Sequence, residues 1–95
     1  MSKKKVKIFP RERKILESLG ERLMLSRKRR KMTTETVAAR AGITRVTLSR
    51  AEKGSPEVSI GIYFRILSVL HLEEDIHKLA SDDKLGRSLQ DMELK

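Results

Sequence analysis

The sequence predicts an all-α fold of five helices, and three observations carry that prediction. Apolar residues recur at three- and four-residue spacing through most of residues 10–80, as one face of a helix requires. Thr33, Thr44 and Ser59 stand where helices would start, and Gly42 and Gly54 where they would stop. Only three of the 95 residues are aromatic (Phe9, Tyr63 and Phe64), poor material for a β-sandwich or a base-stacking sheet. A chain of this length builds one core. The expected organisation is a flexible basic arm at 1–9, a helical domain at 10–80 and a C-terminal interaction tail at 81–95.

Residues 1–9, MSKKKVKIF, have no period and a cluster of lysines, which reads as a mobile arm. Pro10 suits a first helical turn, and Ile15, Leu16, Leu19, Leu23 and Ser26 make one stripe of a helix running to about Lys31. Gly20 inside it costs about 1 kcal/mol against alanine, which leaves a kink there or a start near Ser18 as alternatives. Thr33 caps a second helix that turns Val37, Ala38 and Ala41 inward and stops at Gly42. Thr44 caps a third, whose Leu48 and Ala51 face the core while Arg45, Val46, Ser49, Arg50 and Lys53 stay outside. Gly54, Ser55 and Pro56 break the chain. Ser59 opens a fourth helix, with Ile60, Tyr63, Phe64, Leu67 and Leu70 expected mostly in the core, and 73–80 make a fifth. Residues 81–95 hold scattered leucines and read as weakly ordered.

Charge divides the chain more sharply than its net +9 suggests: the balance is +10 over 1–31, +2 over 32–54 and −3 over 55–95. A basic first half suits a polyanion, because each phosphate neutralised by Lys or Arg releases condensed counterions. The acidic last third must serve something else, and Leu85, Leu89 and Met92 are its candidates for burial against a protein partner.

Several function classes fall away. The chain has no cysteine, which excludes disulfide scaffolds, thiolate metal sites and thiol nucleophiles. His71 and His77 lie six apart, on different faces of a helix, with no third histidine to complete a metal site. Asp82, Asp83 and Asp91 have no cleft in so small a chain. No nucleophile is paired with a base, no glycine loop cradles phosphate, and no cofactor or enzymatic activity is expected. No apolar run reaches membrane-spanning length, so a soluble cytoplasmic protein with no membrane partner is expected.

Residues 33–53 place two short helices around Gly42, the second with a polar, cationic outer face, which is the arrangement of a helix-turn-helix. Small Ala38 lets the two helices cross, Ile43 plugs the core from the turn, and Leu48 and Ala51 anchor the second helix from beneath. Its outer face is then free to enter a major groove about 12 Å wide.

The stretch LGERLMLSRKRRKMTTETVAARAGITRVTLSRAEKG, residues 19–54, resembles the XRE (Cro/C1-type) helix-turn-helix regulators, and SIGIYFRILSVLHL, 59–72, is similar to their fourth helix and beyond. The resemblance implies a five-helix, lambda-repressor-like domain acting as a homodimer on a palindromic operator in double-stranded DNA. It makes Arg45, Val46 and Arg50 base-edge readers and places Thr34, Thr44 and Thr47 near phosphates, with Ser49 and Lys53 beside them. Arg suits guanine because its planar fork meets O6 and N7 together, and Val46 suits a thymine methyl. It also implies a structural ion pair between Arg27 and Glu52.

Three positions depart from the family pattern. Thr34 replaces a longer glutamine, Thr36 leaves half a capping box, and Ala51 replaces a larger aliphatic whose volume Met24 or Met32 would fill. Residues 71–95 resemble the tail of HipB-like antitoxins, which implies repression of its own operon and a HipA-like kinase toxin as partner, bound through Leu85, Leu89 and Met92. The alternatives are a stand-alone regulator, or an interaction module that no longer binds DNA. An RNA binder is disfavoured by the lack of aromatics for stacking.

Overall fold

The computed structural model describes residues 6–93. Lys3, Lys4 and Lys5 of the expected arm, and Leu94 of the tail, lie outside the described residues. Within them the chain forms five α-helices, α1 (Pro10–Arg29), α2 (Thr34–Ala41), α3 (Arg45–Glu52), α4 (Ile60–Val69) and α5 (Lys84–Glu93), and a 3₁₀ segment at Glu73–Lys78.

Local chemistry sets the helix starts. The hydroxyls of Thr33, Thr44 and Ser59 accept from the backbone N–H of Thr36, Thr47 and Ile62, each satisfying a donor that the first turn leaves free. At α1 the Glu12 carboxylate accepts from the Phe9 N–H at 2.9 Å. The Thr36 hydroxyl accepts no bond from the Thr33 amide N–H but accepts one from Thr33 Oγ1 at 2.9 Å.

One device ends four of the helices. In each, a residue at positive φ turns the chain, and two backbone N–H groups reach back to free carbonyls of the last turn. At α2 these bonds run from Ile43 N to Ala38 O and from Gly42 N to Ala39 O, with Gly42 at φ 73°. The same pair of bonds closes α1 at Lys31, α3 at Gly54 and α4 at His71. Lys31 and His71 sit at φ 54° and 60° although they are not glycine. His71 is exposed. His71→Gly is therefore expected to stabilise the domain by about 1 kcal/mol in urea unfolding, since relief of the left-handed strain outweighs glycine's greater freedom when unfolded.

The core gathers Leu23, Val37, Ala38, Ala41, Leu48, Ala51, Val58, Tyr63, Ile66 and Leu70, with Leu19, Met32, Ile43 and Leu67 packed against it. Of the two methionines, Met32 is packed against this core. Helix α2 packs on α3 and α4, and α1 packs on α3. Tyr63 donates its phenol to the Ser55 carbonyl at 2.7 Å, and burial pushes its pKa up, which keeps the donor protonated.

The structure departs from the sequence expectation in four places. Helix α1 runs unbroken through Gly20, because that position faces the backbone at the end of α3 and leaves no room for a side chain. Ile15 of α1 and Ile60 and Phe64 of α4, expected inside, are exposed; on α4 the face turned to α2 is the one bearing Tyr63, Ile66 and Leu70. The expected fifth α-helix at 73–80 is a six-residue 3₁₀ segment, too short to recover the cost of starting an α-helix. The tail expected to be weakly ordered contains α5. Asp83 starts it by accepting from Gly86 N–H at 3.0 Å.

Candidate nucleic-acid interface

Helix α3 is anchored on one side and bare on the other. Leu48 and Ala51 are fully buried, which fixes its rotation. Arg45, Val46, Ser49, Arg50 and Lys53 consequently stand in solvent. Eight residues make a rod about 12 Å long, commensurate with the width of a major groove. Val46 is 60% exposed, an uncompensated apolar contact on an otherwise polar face.

The end of α3 is held by a bidentate ion pair. Arg27 donates from Nε to Glu52 Oε2 at 2.7 Å and from Nη2 to Glu52 Oε1 at 3.1 Å. Its Nη1 donates to the Met32 carbonyl at 3.1 Å, so one guanidinium joins α1, the turn after it and α3. The side chains are only 11% and 10% exposed. The hydrogen bond it donates to Glu52 raises the Arg27 pKa above its usual value, against burial, which lowers it. Arg27 is therefore committed to the fold, while Lys28, Arg29, Arg30 and Lys31 of the same basic run are exposed. Arg30 is steadied by a bond from Nη1 to the Ser26 carbonyl at 3.0 Å.

The threonines divide into two roles. Thr44 Oγ1 accepts from Thr47 N–H and donates to Thr47 Oγ1 at 3.0 Å, which leaves the half-buried Thr47 hydroxyl with a proton to donate outward. Thr34 is half-buried in the first turn of α2.

Glu35 is a member of this surface that sequence reasoning missed. Its Oε1 accepts from Arg45 Nη1 at 3.2 Å, across the turn between α2 and α3. Both side chains are exposed, so the pair contributes at most about 1 kcal/mol to stability. Its effect is positional, holding the Arg45 fork at the outer edge of α3. Ten residues separate the two, and no local spacing rule connects them. Arg50 makes no side-chain hydrogen bond among the described residues, and its fork is free to engage a ligand.

Leu85, Leu89 and Met92 lie together along α5, exposed by 71%, 54% and 71%, far from burial in the monomer. Among the described residues no group of His, Cys, Asp or Glu could hold a metal ion, and no helix is long and apolar enough to cross a membrane.

No curated protein matches the chain. A protein-family model, that of the helix-turn-helix domain, matches residues 18–79. That span holds the second half of α1, all of α2, α3 and α4, and the 3₁₀ segment. With its two short helices joined at Gly42 and its outward cationic face on α3, the chain belongs to the helix-turn-helix domain family, the architecture of DNA-binding regulators.

Proposed function

We propose that the protein is a sequence-specific, DNA-binding transcriptional repressor of the cytoplasm that reads a palindromic operator as a homodimer. The observation that carries this reading is the outer face of α3, where Arg45, Val46, Arg50 and Lys53 are held in water by a helix whose other side is fully buried. Arg45 and Arg50 read base edges, and Val46 meets a thymine methyl. Thr34, Thr44, Thr47, Ser49 and Lys53 serve the phosphates, which position the domain without specifying sequence. The basic balance of residues 1–31 adds affinity for any duplex. Two copies are needed because one recognition helix covers only a few base pairs, and half-site centres should lie roughly 34 Å apart.

An antitoxin role with a HipA-like kinase enters only through the resemblance of residues 71–95. No feature of the fold adds to it, and the function proposed does not depend on it.

Binding measured against salt concentration tests the assignment of roles. Arg45→Ala or Arg50→Ala is expected to cost roughly 1–3 kcal/mol on the operator and to relax base preference. Deleting residues 2–7 is expected to weaken all duplexes alike and to flatten the salt dependence. An Arg50 variant with intact selectivity would overturn the assignment of Arg50 as a reader.

A further inference from the structure

Among the described residues two apolar surfaces are left without a partner, and they differ in shape. One is a groove of about 700 Å³ between α1 and the segment running from α4 through the 3₁₀ turn, lined by Ile15, Leu19, Ile60, Leu67, Ile76 and Leu79 among others. The other is the stripe of Leu85, Leu89 and Met92 on α5, a convex ridge at the spacing that places side chains on one helix face. The groove extends along α1 from Ile15 to Arg29, roughly 21 Å at the helical rise, and the ridge needs only about 10 Å.

No residue of α5 lines the groove of its own chain. Ser81 Oγ donates to the Lys78 carbonyl at 2.8 Å, Arg87 Nη2 pairs with Asp82 at 3.4 Å, and Gly86 N–H bonds Asp83 at 3.0 Å. These bonds are local to the connection between the 3₁₀ segment and the first turn of α5. The chain is extended, with a radius of gyration of 16.3 Å where a compact chain of this length would have about 12 Å.

Charge adds a direction. Asp91 and Glu93 sit in the last turn of α5, where the helix dipole disfavours acids unless cations approach. Arg22 and Arg29 line the groove and are such cations.

We propose that the α5 ridge of one copy seats in the α1–α4 groove of a second copy, with Asp91 and Glu93 against Arg22 and Arg29, and that the exchange is reciprocal. Because the exchange is reciprocal, a two-fold axis relates the two contacts and closes the assembly at a dimer. The proposal deepens the homodimer of the operator reading, and its test uses no DNA, so either can fail without the other.

The test is sedimentation of the full chain with two exposed-site variants, Leu89→Glu on the ridge and Ile60→Glu in the groove. Wild type is expected to be dimeric at micromolar concentration. Each variant alone is expected to dissociate at least about tenfold more readily, with an unchanged helical circular dichroism spectrum. An equimolar mixture of the two should recover dimer, because the groove of the ridge variant and the ridge of the groove variant are both intact. If either variant loses its helical signal, oxidation of an Ile15→Cys, Leu89→Cys double variant decides, because the natural chain has no cysteine. A dimer linked between position 15 of one copy and position 89 of the other supports the contact, and a dimer linked through position 89 of both copies, or a cross-link confined to the monomer, overturns it. A monomeric wild type overturns it as well, and would leave both surfaces to a foreign protein. So does a groove variant that dimerises like wild type, which would mean that α5 packs on α5.

Discussion

Truncation of Glu52 to alanine is expected to destabilise the domain by about 3 kcal/mol. The carboxylate answers two donors of Arg27, at 2.7 and 3.1 Å, in a site about nine-tenths removed from water. Without it the guanidinium remains half-enclosed, facing one carbonyl, that of Met32. The loss measures an abandoned charge more than the worth of the pair. Arg27→Met combined with Glu52→Leu is therefore expected to recover most of it, because apolar groups of similar volume need no partner. Urea unfolding of the single and double variants checks both statements. A loss below about 1 kcal/mol for Glu52→Ala would mean that the pair behaves as an exposed one.

Gly20→Ala is expected to cost about 2–3 kcal/mol, although alanine is the better helix former by about 1 kcal/mol at an open site. The added Cβ would stand 2.5 Å from the backbone N of Gly54, 2.6 Å from the Glu52 carbonyl oxygen and 2.7 Å from that of Ala51. None of these is the end of a flexible side chain, so α1 must move off α3. Gly54→Ala meets the backbone of Leu16 from the other side of the same crossing and also forces a side chain to φ 73°. Gly42 shares that φ with open space around it. Gly42→Ala should thus cost only the conformational share, about 1–2 kcal/mol, and the excess of Gly54→Ala over it isolates the close approach. Thermal unfolding of the three variants gives the comparison.

What could be read from the sequence follows from the range of each interaction. The starts at Thr33, Thr44 and Ser59 and the stop at Gly42 were legible because capping joins residues three or four apart. Helix α5 was readable in principle from Asp83 and the Leu85, Leu89, Met92 spacing, but its lack of burial made the leucines look scattered. Helix α4 is apolar nearly all round, so its own residues do not fix its rotation; packing on α2 does. Gly20 carried the opposite signal locally, because its reason lies in a backbone more than thirty residues ahead. On the candidate surface, the exposure of Arg45, Val46 and Arg50 followed from the burial of Leu48 and Ala51. The Glu35 partner of Arg45 did not, since it depends on how two helices meet.

The ties at both ends of α3 bear on the thermodynamics of recognition. Thr44 closes its first turn, Gly54 closes its last, and the Arg27 guanidinium clamps Glu52 to the body of the domain. A segment so held keeps its conformation whether or not a duplex is present, and no ordering entropy remains to be spent on that helix at the moment of binding. On the proposed reading, the heat-capacity change of operator binding would then reflect the surface the partners bury, without the larger negative contribution of coupled folding in α3. Calorimetric titration over a range of temperatures would separate this rigid docking from a fold-on-binding mode.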